Sequence, residues 1–239
     1  MNRRHLIVHA ALEHSGALAV LAAIAGGLWA FIELSEEVLE GETHAIDTAI
    51  LVALRTPGDL SDPLGPGWLE EMVRDFTALG GTGVLTLLTL AVVGFLLVAK
   101  APRTALAVAL AIGGGILLST LLKSGFDRPR PELVPHGSMV YTASFPSGHS
   151  MMAATVYLTL AALVSRILRR RRLRVYIVAT AVVLTLLVGV SRVYLGVHWP
   201  TDVLAGWTVG AIWALGASVL MLRLQIGRAV EGPRATQPE

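Results

Sequence analysis

The sequence predicts an all-α polytopic membrane protein, with six transmembrane helices in a bundle and short surface helices on the outer side. Three observations carry this. The 239-residue chain is 54% hydrophobic and only 15% charged, with a mean hydropathy of +0.66. A soluble domain is ~45–50% apolar and ~25% charged. Six stretches stay almost free of charge over about the 20 residues that a helix needs to cross a hydrocarbon core of ~30 Å. The basic residues are also divided unevenly among the connections. There is no cysteine, which excludes a disulfide framework, a thiolate metal site and a Cys nucleophile. The net charge of +2 is no signature of nucleic-acid binding.

The elements follow in order. The first span is placed at 15–32. Arg3-Arg4 before an apolar run also fits a cleaved signal peptide, but this run is long enough to span. Its removal would leave five helices. From 33 to 75 no span is found; Thr56-Pro57-Gly58-Asp59 and Pro63-Leu64-Gly65-Pro66 read as turns. Residues 46–54 and 68–73 are expected to form short amphipathic helices. They lie either on the membrane surface, with Trp68 among the headgroups, or as a cap over a site. The second span is placed at 76–99, the third at 104–122, and the fourth at 150–168, where Arg166 snorkels to the interface. The fifth runs over 175–191 and the sixth over 203–222. Backbone groups in lipid must satisfy one another, which makes these spans helices. Gly113-Gly114-Gly115 and Gly206…Gly210 suit either close helix approach or mere slack. No internal repeat or second domain is visible, and 1–239 reads as one integral-membrane domain.

Six spans place both termini on one side. That side would hold Arg3, Arg4, Lys100, Arg103, the arginines at 166, 169–172 and 174, and Arg223, Arg228 and Arg234. These are 13 of the 19 basic residues, while eleven acids fall between Glu33 and Asp75 on the other side. Basic loops stay in the cytoplasm, so both termini are expected there. The arginine run 169–172 reads as a stop-transfer cluster rather than a nucleic-acid site.

Ionisable residues at membrane helices are costly, and by default they are functional hypotheses. Lys123 ends the third span and precedes Asp127-Arg128-Pro129-Arg130-Pro131. Pro146-Ser147-Gly148-His149 opens the fourth span, Ser191-Arg192 closes the fifth, and His198-Trp199-Pro200-Thr201-Asp202 opens the sixth. Helix parity gathers all of these on one face, the outer one by charge. Lys123, Arg130 and Arg192 form a cation cluster suited to an anion, and the planar Arg fork matches phosphate oxygens. Ser147, Gly148 and His149 stand at a helix start, where free N–H groups favour phosphate. Pro200 fits a first helical position, leaving His198 just before the helix and Asp202 in its first turn. A carboxylate there would fix the imidazole tautomer and free the other nitrogen for attack. His149 suits the general acid.

These residues resemble the signature of the type 2 phosphatidic acid phosphatase superfamily, which includes bacterial membrane lipid phosphatases and shares its core with vanadium haloperoxidases. Lys, six residues and Arg-Pro are matched by Lys123, Arg130 and Pro131. Pro-Ser-Gly-His is matched by Pro146 to His149, and Ser-Arg, five residues, His, three residues, Asp by Ser191, Arg192, His198 and Asp202. The match covers about 104–222. One departure is acidic Asp127 beside Arg128, expected to temper the local positive field.

The resemblance implies that His198 attacks phosphorus to give a phosphohistidine, that Asp202 orients it, and that His149 protonates the leaving group. Lys123, Arg130, Arg192, Ser147 and Gly148 would hold the phosphoryl oxygens. It also implies a bacterial-type cytoplasmic membrane and a lipid substrate such as undecaprenyl diphosphate, phosphatidylglycerol phosphate or phosphatidate. No carboxylate cluster suggests a magnesium site, so metal-independent turnover with no cofactor is expected. Two alternatives stand beside hydrolysis: a lipid phosphotransferase that passes the phosphate to another lipid, and a non-catalytic lipid transporter. A transporter's charges would line a path across the bilayer, whereas these collect at one face.

Overall fold

The computed structural model describes residues 3–132 and 143–229, with side chains over 17–132 and 143–222. Of the residues expected to set topology, Arg234 lies outside the described ones, and Arg3, Arg4, Arg223 and Arg228 are described in backbone only. Eight helices and one hairpin follow in the order α1 (Arg3–Glu40), α2 (His44–Ala53), β1 (Arg55–Thr56), β2 (Asp59–Pro63), α3 (Gly67–Ala78), α4 (Thr82–Val98), α5 (Pro102–Gly125), α6 (Gly148–Ile167), α7 (Arg171–Tyr194) and α8 (Pro200–Ala229). Among the described residues five helices are long and apolar enough to cross a membrane, and the count is six if the bent pair α3–α4 forms one span. The protein is thus an all-α multi-pass membrane protein.

The boundaries moved where charge was used to draw them. The first apolar helix continues through Glu33, Glu36 and Glu37 to Glu40, because acids end a hydrophobic stretch without ending a helix. The span expected at 76–99 is not one straight helix. Residues up to Ala78 belong to α3, and α4 departs from it at 46° after a short break. Gly80 and Gly81 lie in that break, and Gly80 packs so tightly on Val188 of α7 that a Cβ would overlap it. Arg166 also departs from expectation: its Nη2 donates to the Ser218 carbonyl on α8 at 2.6 Å, tying two helices together.

The short segments are placed as read, with one addition. Residues 46–53 of the first segment lie in α2, with Asp47 and Leu51 fully buried. Leu51 packs on Val193, Trp199 and Val203, so α2 caps the end of the bundle. The turn at Pro57-Gly58 closes an antiparallel hairpin of β1 and β2, pairing Thr56 with Asp59 and Arg55 with Pro63. That hairpin was not anticipated. Trp68, on α3, remains 64% exposed.

The main core joins α5, α6 and α7 through Val108, Ile112, Val156, Tyr157, Ala181 and Val188. Outward faces carry bare apolar side chains such as Leu87, Phe95 and Leu117, as lipid contact requires. Helices in lipid gain little from hydrophobicity alone and associate through close packing at small residues. α6 and α8 form the most extensive helix pair. A Cβ on Gly206 would lie 2.6 Å from the Ser147 carbonyl, and one on Gly115 would lie 2.7 Å from Thr155. Gly113, by contrast, faces open space. Two of the three consecutive glycines therefore serve packing.

Candidate active site

Four helix ends and two loops deliver the chemistry. Lys123 stands in the last turn of α5, and Arg128 and Arg130 follow in the extended Pro-rich segment. Ser147 is the N-cap of α6, with Gly148 its first residue and His149 its second. Arg192 stands in the last turn of α7. His198 precedes α8, which begins at Pro200, and Asp202 lies in its first turn. Proline at a helix start loses nothing, since its missing N–H would be unpaired there.

These ends surround one cavity of about 660 Å³. Lys123, Arg130, Gly148, His149, Arg192 and His198 line one part of it, and Leu85, Leu90 and Val93 of α4 with Ala109, Ile112 and Ile116 of α5 line much of the rest, interspersed with threonine and serine hydroxyls. Six of the eight residues singled out in the sequence thus share a wall. Ser147 and Asp202 lie behind it, both fully buried. The Ser147 hydroxyl accepts from Ser150 Oγ at 3.0 Å, and its backbone N–H donates to the Asp202 carbonyl at 2.9 Å. Its backbone therefore links the start of α6 to that of α8.

His198 is 1% exposed. Its Nδ1 faces Asp202 Oδ2 at 3.3 Å and Ser144 Oγ at 3.4 Å, while Arg130 Nη1 lies 3.1 Å from Nε2. A guanidinium only donates, so Nε2 is the acceptor nitrogen and Nδ1 carries the hydrogen. Burial pushes the imidazole down to about 4, reinforced by Arg130 and Arg192 and opposed by Asp202. The ring is neutral at neutral pH, with its Nε2 lone pair turned to Arg130. Burial also lowers the Arg130 guanidinium below its ordinary value, and it remains a cation.

The cations are held by backbone and hydroxyl oxygens. Lys123 Nζ donates to the Ala143 carbonyl at 3.0 Å, Arg130 Nη1 to the Val197 carbonyl at 2.9 Å, and Arg192 Nη1 to Thr77 Oγ1 at 3.2 Å. Arg192 Nε is buried with no hydrogen-bond partner among the described residues. A Cβ on Gly148 would sit 3.2 Å from Lys123 Cε, so glycine lets the lysine pass close to the α6 N-terminus. Three cations, a helix N-terminus and a neutral imidazole can together bind a phosphoryl group and attack it. Among the described residues, no three His, Asp or Glu side chains are gathered to hold a metal ion.

Sequence reasoning missed four members of the surrounding network. Arg128 bridges Asp47 and Asp202, with its two terminal nitrogens each 2.7 Å from a carboxylate oxygen. Asp47 accepts from the Thr201 backbone N–H at 3.0 Å and hydroxyl at 2.6 Å. Ser144 Oγ donates to Asp202 Oδ2. Asp127, expected to temper the field near Arg128, is instead exposed; the counter-charges of Arg128 are Asp47 and Asp202. The one available signal was Asp47 itself, an acid within an otherwise apolar short helix. Nothing in the sequence says that it meets Arg128.

Comparison with known proteins converges on one family. Residues 104–226 match the PAP2 superfamily, a range that takes in every residue of the cavity's cationic wall. The chain is similar to phosphatidylglycerophosphatase B of Bacillus subtilis, with 38% identity over 150 residues, 61% of this chain and 71% of that protein. It is also similar to an undecaprenyl-diphosphatase of Sulfolobus acidocaldarius, 37% identical over 68 residues, 28% of this chain and 29% of that one. Its fold matches the crystal structure of a transmembrane PAP2-type phosphatidylglycerolphosphate phosphatase from Bacillus subtilis with a TM-score of 0.75 and 30% identity, covering 85% of this chain and 98% of that one. With half the chain, the helical fold and the clustered signature all in agreement, this protein belongs to the PAP2 superfamily of membrane phosphatases.

Proposed function

We propose that this protein hydrolyses a lipid phosphate or diphosphate at the outer face of a cytoplasmic membrane, through a phosphohistidine intermediate and without a metal. One observation carries the reading. His198, its acceptor nitrogen against Arg130, lines a cavity that is cationic at one part and mostly apolar between α4 and α5 at the other. A lipid fits such a cavity because its headgroup meets the cations while its tail stays among apolar side chains.

The steps follow from the hydrogen bonds. His198 Nε2 attacks phosphorus, the bond from phosphorus to the leaving oxygen breaks, and His149 gives that oxygen a proton. The positive charge that develops on the imidazole is stabilised by Asp202 opposite Nδ1. Lys123, Arg130, Arg192 and the Gly148 amide hold the equatorial oxygens as charge shifts onto them. Water then attacks phosphorus, His149 takes its proton, and the P–N bond breaks to release phosphate and return the lone pair to Nε2. Positive charge otherwise supplied by a metal comes from side chains, so EDTA treatment is expected to leave turnover unchanged.

The test is phosphate release by the purified full chain from phosphatidylglycerol phosphate, undecaprenyl diphosphate and phosphatidate, in detergent and in liposomes. At least one lipid should be hydrolysed, and His198→Gln should cut kcat at least about a thousandfold by removing the nucleophile. Full activity in that variant, or no release from any lipid by folded protein, refutes the reading.

A further inference from the structure

Asp202 is a buried carboxylate whose two oxygens face different partners. Oδ2 takes the Ser144 hydroxyl, the Trp199 backbone N–H at 2.9 Å and His198 Nδ1 at 3.3 Å. Oδ1 takes Arg128 Nη1 at 2.7 Å. The same guanidinium reaches back through Nη2 to Asp47 Oδ2 at 2.7 Å, and its Cζ lies 5.5 Å from the centre of the Trp199 ring. Asp47 and Asp202 are both 0% exposed. Two buried anions around one cation are costly to desolvate, and breaking one pair strands the other charge. Such a network fixes geometry more than it adds stability.

Arg128 is absent from the cavity wall, which is formed by Lys123, Arg130 and Arg192. Its fork is spent on two carboxylates, so phosphate binding is not its work. We propose that Asp47 and Arg128 are positioning residues. Arg128 holds Asp202 Oδ1 so that Oδ2 faces the His198 Nδ1–H, and Asp47, delivered by α2, fixes Arg128 and the first turn of α8 together. The segment before the second span is thereby part of the reaction machinery, acting through Asp202 on the nucleophile. This inference rests on the proposed role of His198.

The test compares Arg128→Ala, Asp47→Asn and their double variant as full-length protein in mixed micelles. The substrate is dioleoyl phosphatidate, or whichever lipid of the panel above turns over fastest, and inorganic phosphate serves as competitive inhibitor. Per folded enzyme, kcat is expected to fall about a hundredfold in Arg128→Ala and about tenfold in Asp47→Asn. KM and the inhibition constant for phosphate should stay within threefold of the parent protein. Because Asp47 acts through Arg128, the double variant should be no slower than Arg128→Ala by more than threefold.

A kcat within threefold of the parent in either single variant overturns the proposal, as does a multiplicative loss in the double. So does a phosphate inhibition constant that rises in step with the loss of kcat, which would make Arg128 a phosphate ligand. If Arg128→Ala does not fold, Arg128→Gln takes its place in the same comparison with Asp47→Asn. His198→Gln separates the two levels. Retained activity there removes the phosphatase reading itself, whereas an inactive His198→Gln beside unaffected Arg128 and Asp47 variants removes only the positioning role.

Discussion

At the scale of single residues, the site depends on keeping one imidazole neutral in a field of cations. Burial lowers His198 from its ordinary 6.5 to about 4, so the folded protein resists protonation that the unfolded chain accepts. Between those two values the unfolded state binds more protons, and stability therefore falls as pH drops from about 6.5 towards about 4. Above that window the contribution is fully present. Thermal unfolding in detergent should show a lower Tm at pH 5 than at pH 7, and a smaller drop in His198→Gln. An equal drop in both proteins would show that His198 is not the group responsible. The cavity-facing residues were legible in the sequence because helix parity alone gathers Lys123, His149, Arg192 and His198 at one end. Arg128, Asp47 and Ser144 were not, because their roles come from hydrogen bonds across loops. Ser147 shows the converse. Its place at the start of α6 was readable, but the burial of its hydroxyl behind the wall was not.

At the scale of elements, hydropathy located the apolar helices and misjudged their ends. Charge marks where lipid contact stops, whereas helices stop where backbone geometry or packing compels it. Glu33 to Glu40 continue α1, and the break between α3 and α4 occurs at Gly80-Gly81, where the close contact of Gly80 with α7 leaves no room for a side chain. The same close approach makes a prediction at the junction that holds the site. Ser147 N–H donates to the Asp202 carbonyl, and Gly206 lies one turn further along α8 against the Ser147 carbonyl. Adding a methyl group in Gly206→Ala forces α6 and α8 apart and is expected to cost about 1–3 kcal/mol by overpacking. Gly113→Ala adds the same group where nothing lies within 4 Å, and the better helix propensity of alanine makes it neutral or slightly stabilising. Thermal unfolding of the two variants in one detergent checks the contrast; equal Tm changes would contradict the close packing assigned to Gly206. Activity should fall in Gly206→Ala as well, since both the amide proposed to bind phosphate and the proposed nucleophile hang on that junction.

At the scale of the whole molecule, the distribution of charge links fold to sidedness. The end that carries the cavity also carries the acids Asp59, Asp62, Glu70 and Glu71, whereas the α6–α7 connection and the first turn of α7 at the opposite end carry Arg169 to Arg172 and Arg174. Cytoplasmic loops collect Lys and Arg because moving them across the membrane is disfavoured, so the cavity is expected to open on the outer side. The cations at the cavity are exceptions to that bias. Positive charge there opposes the topological preference, and the proposed phosphate binding is the benefit that would offset it. The absence of any cysteine makes the orientation directly measurable. Glu71→Cys and Arg172→Cys place single thiols on exposed positions of α3 and of the first turn of α7. A membrane-impermeant maleimide applied to intact spheroplasts should label the first variant, and should label the second only after lysis. The reverse pattern would put the cavity in the cytoplasm and with it the substrate, because a headgroup does not cross the bilayer to reach cations on the far side. Sidedness thus decides which leaflet supplies the lipid.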